Sequence, residues 1–314
     1  MPETLTKQHI EETFQALSNW GRWGEDDEVG TLNNVRPEDI VAAAGLIRKG
    51  KVFGLGVPLD QPLQSVPHKR WNPIHTFMQD GADVATGLFE GRLQYADDAI
   101  NMPTHGSTHW DALAHVFSDG RMYNGHDAGD HGSRGFKVNG IEKMADRMVG
   151  RGVLLDVARF KGVESLDDEY AISNEELDAC AAAQDVAVGR GDFVIVRTGY
   201  QERFWTRGDW AGHTTGMAPG LAFETCRWLR EKDVAAIAAD NYAVEARPAE
   251  GEGYSYPWHG VVIPAMGLTM GEMFYLRELA ADCAEDGVYE FFFCAPPLNL
   301  PGGSGSPINP QAIK

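Results

Sequence analysis

The residues best suited to chemistry lie close together in one short segment of the chain. Five of the ten histidines fall between positions 105 and 131, and residues 105–115 read HGSTHWDALAH. Imidazole nitrogens and carboxylate oxygens are the ligands that Zn²⁺, Mn²⁺ and Fe²⁺ take in proteins. So dense a run of titratable side chains serves no evident structural purpose, and it predicts a metal site.

The spacing indicates which side chains would bind the metal. His109 and Asp111 are two residues apart, so an extended backbone directs both side chains to the same face. His105 lies four residues earlier, and Gly106 lets the chain bend back towards the same point. Two histidines and a carboxylate leave coordination positions open for water, as a catalytic metal requires. We therefore predict that His105, His109 and Asp111 are metal ligands.

A fourth titratable residue follows the ligand triplet. His115 lies four residues beyond Asp111, where one helical turn would place it beside the metal as a general base or acid. The spacing is not that of a His-Glu-x-x-His protease or of a His/Cys zinc finger. Ser107, next to the histidines, would be a nucleophile only in a serine hydrolase, and a mechanism based on metal-activated water has no need of it.

The segment THGSTHWDALAHVF resembles the signature of the cyclase-like metal hydrolases, the family of bacterial kynurenine formamidase and isatin hydrolase. Their pattern is His-x-Gly-Thr-His-x-Asp-x-Pro-x-His, and all three histidines and the aspartate are present here. The sequence departs from it twice, with Ser107 in place of Gly and Leu113 in place of Pro. Neither position is that of a ligand, so the departures argue more against the formamidase subgroup than against the family.

The resemblance covers about residues 50–314 and adds residues that the first motif does not contain. His259, in WHGVVIPAMGLTMGEMFYL, and Glu272, thirteen residues later, match the family's second pair of metal-site residues. Asp240 matches a recurrent aspartate at the end of an apolar strand, with Ala238 in place of the usual glycine. The closing residues YEFFFCAPPLNLPGGSGSPI resemble the family's last strand and its glycine-rich tail.

This resemblance carries several expectations. It implies an α/β fold of the swivelling β/β/α type, with residues 1–50 as an N-terminal helical extension and residues 51–314 as the hydrolase domain. It implies one or two divalent metal ions per chain, Zn²⁺ or Mn²⁺, and a homodimer or homotetramer. It also implies hydrolysis of a C–N or C–O acyl bond, often in a cyclic amide or a lactone.

Further residues are weaker candidates for the site. His126 and His131 fall in a Gly/Asp-rich loop that is more typical of solvated surface, and His213 precedes a helix from which it could touch substrate. His68, Arg70 and His75 lie in a long aperiodic stretch and could meet an anionic substrate. The tryptophans could line an aromatic pocket or belong to the core: Trp20, Trp23, Trp71 and Trp110.

The elements that must position these residues are read from periodicity. Short apolar runs rich in Val, Ile and Phe predict buried strands at 152–160, 192–200, 234–242 and 289–297, and a further strand at 51–60. Helices are predicted at 7–18, 37–49, 173–184, 218–232 and 269–281, with Ser173 and Glu176 forming a capping box. Residues 61–100 are interpreted as a lid, a substrate wall or a subunit arm, and the tail after residue 297 as irregular.

Composition restricts the possible partners. The chain has 314 residues and a net charge of -19, which argues against a nucleic-acid partner and against anionic membrane surfaces. None of the four cysteines is in a C-x-x-C pair, and the N-terminus lacks the apolar core of a signal peptide. These features predict a cytoplasmic protein.

Three functions are compatible with the residues. The first is a metal-dependent hydrolase that cleaves an amide, lactone or ester bond in a small, cyclic or aromatic molecule. The second is a lyase, isomerase or cyclase that uses the metal as a Lewis acid without net hydrolysis. The third is a metal-binding protein without turnover, against which the candidate base His115 argues.

Overall fold

A nine-stranded mixed sheet organises the computed structural model, which describes residues 5–64, 70–89, 91–251 and 253–314. The strands of the described residues are β1 Val52–Gly54, β2 Ile74–Gln79, β3 Asp97–Asn101, β4 His109–Asp111, β5 His131–Gly132, β6 Gly135–Phe136, β7 Val149–Asp156, β8 Ala171–Ile172, β9 Phe193–Arg197, β10 Gly220–Leu221, β11 Ala236–Ala239, β12 Thr269–Glu272, β13 Glu290–Cys294, β14 Gly305–Pro307 and β15 Gln311–Ile313. The order in the main sheet is β1-β15-β13-β7-β9-β11-β12-β4-β14.

Helices connect and cover the strands. The α-helices of the described residues are α1 Lys7–Leu17, α2 Pro37–Ala44, α3 Val157–Phe160, α4 Asn174–Ala183, α5 Tyr200–Arg207, α6 Thr225–Lys232, α7 His259–Val262 and α8 Arg277–Asp286. Short 3-10 segments occur at Gly30–Asn34, Gly81–Thr86, Tyr123–Gly125 and Ile141–Met144. Within the described ranges, no helix has the length and apolar character needed to cross a membrane.

Four strands at the centre of the sheet are parallel: β7, β9, β11 and β12. Every residue of β9 and β11 is buried, which explains their continuous apolar sequence. β4 pairs antiparallel with β12 on one side and with β14 on the other. This mixed α/β architecture agrees with the predicted fold class, and the metal motif lies on β4 near one edge of the sheet.

Several predicted elements agree with the structure in kind and differ in extent. The strands predicted at 51–60, 192–200, 234–242 and 289–297 are present but shorter. The strand predicted at 152–160 begins three residues earlier, as β7, and its last four predicted residues form α3 instead. Ser173 caps α4, and Glu176 closes the capping box as expected. α2 ends at Ala44, five residues before its predicted end. The division of the chain at residue 50 stays a prediction. The segments on its two sides are packed against each other, with α2 on β7 and α1 on α7.

Two predicted helices are wrong in their first halves. Residues 269–272 form β12, because they pair with β11 and β4, and the following helix begins only at Arg277. Gly271 allows this strand to lie against aromatic rings, since an added Cβ would come within 2.7 Å of Trp110. Residues 220–221 form the small strand β10 beside β8, and the helix begins at Thr225. Pairing across the sheet outweighed the local helical pattern in both places.

Two stretches taken as irregular contain strands. The 61–100 region includes the exposed hairpin of β2 and β3, and whether it acts as a lid stays a prediction. The sequence predicts no regular structure for the tail after residue 297, and this prediction is wrong. The tail returns to the sheet twice, as β14 beside β4 and as β15 between β1 and β13.

Candidate metal centre

The two faces of strand β4 carry different kinds of side chain, a core residue on one face and potential ligands on the other. Trp110 points into the core, where it is 1% exposed and donates from Nε1 to the carbonyl of Ala295 at 2.8 Å. His109 and Asp111 therefore project together from the opposite face, as the period of two in a strand requires. Both are buried, so the strand holds two potential ligands away from bulk water.

Register brings a third side chain to this face. In the antiparallel pair of β4 and β12, Glu272 lies directly opposite His109. Directly opposed residues share a face of the sheet and have close Cβ atoms. The distance from His109 Nε2 to Glu272 Oε2 is 3.7 Å. Glu272 thus joins the cluster from a strand, whereas the predicted helix would have carried it elsewhere.

His105 reaches the same point from the turn that precedes β4. Its Nε2 lies 3.3 Å from Asp111 Oδ1, and His109 Nε2 lies 3.2 Å from the same oxygen. Gly305 on β14 leaves the space that this imidazole occupies, because a Cβ there would come within 2.4 Å of His105 Nε2. The turn at Gly106 and the glycine on β14 together place the third predicted ligand.

The remaining ring nitrogens of these two histidines are held by nearby polar atoms. His109 Nδ1 lies 2.8 Å from the carbonyl oxygen of Ser107, and His105 Nδ1 lies 3.0 Å from Thr104 Oγ1. A carbonyl can only accept, so His109 carries its proton on Nδ1 and leaves Nε2 free to bind a metal.

A second group is built around His259 at the start of α7. His259 Nε2 lies 3.4 Å from Glu272 Oε1. Its Nδ1 makes a short contact with Glu245, which also accepts hydrogen bonds from the backbone N–H of Trp258 at 3.3 Å and of His259 at 3.1 Å. A carboxylate behind a ligand imidazole is the usual support in metal sites. Glu245 was missed from the sequence, where no motif marks it fourteen residues before His259.

Most candidate ligand atoms in the described part of the chain have no hydrogen-bond partner, apart from the pair His259 Nε2 and Glu272 Oε1. Among the described residues, Nε2 of His105 and His109, both carboxylate oxygens of Asp111 and Oε2 of Glu272 are buried without hydrogen bonds. Buried polar atoms are rarely left in this state, because an unpaired one costs about 1–3 kcal/mol. Their ligand atoms form two overlapping groups, His105–His109–Asp111 and Asp111–His259–Glu272, each within 4.8 Å. The donor set of imidazoles and carboxylates suits a divalent transition metal.

Burial and neighbouring charges set the protonation of the cluster. Burial lowers the pKa of His105 well below its ordinary value, and the nearby His115 lowers it further. Burial alone would raise the pKa of Asp111, but the imidazoles of His115, His109 and His105 bring it below its ordinary value. Burial would also lower the pKa of His259, yet Glu245 and Glu272 outweigh it and raise this pKa to about 10. Burial thus favours the neutral imidazole at His105, whereas Glu245 and Glu272 favour the protonated imidazole at His259.

His115 lies beside the first group without completing it. Its ring stacks on His105 with centroids 4.1 Å apart, and its Nε2 lies 3.9 Å from Asp111 Oδ1. A tight turn places it there, with its backbone N–H donating to the carbonyl of Ala112 at 2.9 Å. The side chain keeps 26% of its surface exposed, and burial of the rest lowers its pKa. A neutral, partly open imidazole is suited to accept a proton from a molecule at the centre.

Arg70 and two tyrosines border the cluster. Arg70 Nη1 lies 3.4 Å from the carbonyl of His105, and its guanidinium lies 5.7 Å from the ring centre of Tyr242. Tyr256 contacts His259 edge-on with ring centres 5.3 Å apart. A cation and aromatic rings thus lie beside the buried ligands.

The structure assigns other surroundings to the remaining candidates. Asp240 is buried and accepts from the N–H and hydroxyl of Thr198 and from the N–H of Gly199, so it fixes a loop. His213 is buried among Tyr200, Phe204 and Trp210. His75 pairs with Asp98, and Trp110 belongs to the core. Neither these two nor the remaining candidates belong to the metal groups found among the described residues: His126, His131, Trp20, Trp23 and Trp71. Ser107 supports His109 through its carbonyl, and His68 lies outside the described residues.

Comparison with known proteins identifies the family. Residues 35–246 match the family model described as "Putative cyclase", which spans more than half of the chain. The chain belongs to this cyclase family of enzymes. The comparison with curated proteins gave no match.

Solved structures show the same fold. A structure described as a novel cyclase is 40% identical, covers 96% of this chain and 99% of its own, and superposes with a TM-score of 0.88. Isatin hydrolase A from Labrenzia aggregata, bound to benzyl benzoate, is 20% identical, with 88% and 97% covered and a TM-score of 0.61. A predicted metal-dependent hydrolase from Bacillus stearothermophilus is 19% identical, with 83% and 97% covered and a TM-score of 0.52. The last two are similar in fold.

Proposed function

We propose that this protein is a metal-dependent hydrolase that cleaves an amide, lactone or ester bond in a small, cyclic or aromatic molecule. One observation carries the proposal. Five buried side chains of the kinds that bind divalent metals converge, and most of their ligand atoms have no partner among the described residues. The fold shared with isatin hydrolase and with a predicted metal-dependent hydrolase supports the same reaction class.

The two overlapping groups define how metal would be held. We propose that His105, His109 and Asp111 hold one ion, Zn²⁺ or Mn²⁺, and that His259 and Glu272 hold a second, with Asp111 common to both. Glu245 would orient His259 in the way that outer carboxylates orient ligand imidazoles. Such a metal would lower the pKa of water towards neutrality and polarise the substrate carbonyl.

The chain's own residues supply the proton transfer. We assign His115 as the general base, because its Nε2 faces the oxygens of Asp111 and its side chain is partly open. It would take a proton from the attacking water and return it to the leaving nitrogen or oxygen. Burial of the ligand side chains keeps bulk water from competing with them. Arg70, Tyr242 and Tyr256 would contact the substrate beside the scissile bond.

Metal analysis combined with a substrate screen tests the proposal. Purified protein should contain one or two equivalents of zinc or manganese, and it should hydrolyse at least one member of a set of lactones, N-formyl amines and cyclic imides. Chelation should abolish the activity and re-addition of the metal should restore it. A homodimer or homotetramer is expected in the same preparation. Full activity in metal-free protein would contradict the mechanism.

Product mass separates hydrolysis from the alternative chemistry. A hydrolase adds the elements of water, so the mass of the combined products rises by one water molecule. A lyase, isomerase or cyclase that uses the same centre would leave the mass unchanged or lower it. Metal bound at full occupancy with no turnover of any substrate class would favour a metal-binding protein instead.

A further inference from the structure

A second concave site lies away from the metal centre, at the carboxyl ends of β7 and β9. It is a cavity of about 790 Å³, within the range typical of small-molecule sites. Five arginines line it, and we call it the arginine cavity: Arg159, Arg197, Arg203, Arg207 and Arg277. We propose that the arginine cavity binds an organic anion that carries phosphate or carboxylate groups.

Two of the arginines form a fixed frame. Arg197, at the end of β9, is 7% exposed and donates to both oxygens of Glu202 at 2.7 and 3.0 Å and to Asp156 at 2.8 Å. Arg203 donates to the hydroxyl of Ser165 at 2.5 Å and to Asp168 at 2.6 Å. These guanidinium groups are largely satisfied within the protein, so they shape the cavity more than they offer donors to a ligand.

The other three arginines keep donors available. Among the described residues, the Arg159 side chain donates only from its Nε, to Asp156 at 3.2 Å. Arg207 donates from Nε and Nη2 to the carbonyls of Asp209 and Ala211. Its nearest carboxylate oxygen within the described ranges is Asp209 Oδ2, 3.9 Å from Nε. For Arg277 the described part of the chain shows no hydrogen bond or ion pair. Three guanidinium groups from three different helices thus face one space with free N–H groups.

The charge around the cavity is unusual for this chain. The protein carries a net charge of -19, which repels anions in general. The cavity nevertheless gathers five arginines and no lysine. Asp156, Asp168 and the lining residue Glu202 pair with Arg159, Arg197 and Arg203, so the uncompensated positive charge lies mainly on Arg207 and Arg277. Guanidinium groups bind carboxylate and phosphate through paired N–H donors, which a lysine ammonium cannot do. This composition favours an anionic ligand with more than one charged group.

The position of the cavity agrees with a ligand site and separates it from the metal. In open α/β sheets, ligands bind in crevices outside the carboxyl ends of the strands. β9 and β12 are separated by β11, so Arg197 and Glu272 are roughly 10 Å apart across the strands at the usual spacing. Between them, Asp240 accepts from the N–H groups of Thr198 and Gly199. None of the residues that line the arginine cavity belongs to the two candidate metal groups, so we infer that ligand binding there does not require the metal.

Calorimetric titration with two probes tests the proposal. Pyrophosphate and tricarballylate are each titrated into the purified protein at fixed ionic strength. We expect saturable binding of one molecule per chain. The probe that binds with the lower Kd shows whether the cavity prefers phosphate or carboxylate groups. The double variant Arg207→Gln/Arg277→Gln should bind about tenfold more weakly or worse, because two charge-assisted hydrogen bonds are lost. Arg277→Gln alone should give a smaller loss in the same direction.

Matched controls make each outcome decisive. The double variant Arg121→Gln/Arg147→Gln removes the same charge from exposed arginines elsewhere, and it should bind like wild type. His109→Ala should also keep binding, since the probes would otherwise be occupying the metal centre. The proposal is overturned if wild type binds neither probe, if the control pair loses affinity equally, or if His109→Ala abolishes binding. Conversion of an oligomer to monomers by Arg207→Gln/Arg277→Gln, with no probe binding to wild type, would make the cavity an interface between copies.

Discussion

The two halves of the proposed metal centre, His105–His109–Asp111 and His259–Glu272, are assembled in different ways. His105, His109 and Asp111 fall within seven residues, and one short strand with its preceding turn sets their positions. His259 and Glu272 belong to a helix and a strand, and their supporting Glu245 lies in a third segment. The first half is thus a property of a local segment, whereas the second exists only when the sheet has formed.

The same difference appears in what holds each imidazole. His109 is oriented by the carbonyl of Ser107, two residues away, whereas His259 is oriented by the carboxylate of Glu245, fourteen residues away. A backbone carbonyl cannot be removed by substitution, but a carboxylate can. Substitutions should therefore weaken metal binding in the first half only at the ligands and at the residues packed against them. In the second half, substitution of the supporting Glu245 should weaken it as well.

The largest effect is expected from removing a ligand of the first half. His109→Ala should leave the protein largely without bound transition metal and without hydrolytic activity. His109 contacts both Asp111 and Glu272, and loss of one of three protein ligands removes most of the affinity. Elemental analysis of the purified variant measures this. Full metal occupancy would refute the assignment of the first half.

Substitution of the proposed base, His115, should separate the loss of catalysis from the loss of metal binding. His115→Asn keeps much of the volume but cannot accept a proton at neutral pH, so hydrolysis should fall ~10²–10⁴-fold while metal is retained. Rates on the best substrate and metal content are measured together. Loss of both would make His115 a ligand, and an unchanged rate would mean that the proton leaves by another route.

The contrast also explains what could be predicted from sequence. The two-residue spacing of His109 and Asp111 on an extended strand, with His105 in the turn before it, encodes the first half. The apolar runs rich in Val, Ile and Phe encode the parallel strands. Glu272 was placed on a helix because a four-residue strand such as β12 is defined by its neighbours β11 and β4, which a local pattern does not contain. Glu245 and Gly305 have no local signature, since their roles depend on contacts with residues far away in sequence.

Substitution of Glu245, which supports His259 in the second half, should have the next largest effect on metal binding. Glu245→Gln should weaken binding of the second metal ion by about 10–100-fold, the usual cost of losing an outer carboxylate. The first ion should remain, so the metal content should fall towards one per chain. Glu272→Gln is the comparison variant, because it changes a proposed ligand and should lower the stoichiometry or the activity at least as far. Unchanged metal content and rate in both variants would return His259 and Glu272 to a structural role.

A steric change offers the smallest perturbation, and it falls on the first half alone. Gly305→Ala would bring a methyl group within 2.4 Å of His105 Nε2 and 2.8 Å of the Trp110 carbonyl, so the imidazole must shift. Overpacking of this kind costs about 1–3 kcal/mol, which we expect as a lower melting temperature and weaker binding of the first metal ion. Gly260→Ala is the matched control, because Gly260 follows His259 and a Cβ there meets nothing within 4 Å. Metal titration of both variants should show a loss only for Gly305→Ala. Equal metal affinity in the two would mean that His105 does not need its present position to bind.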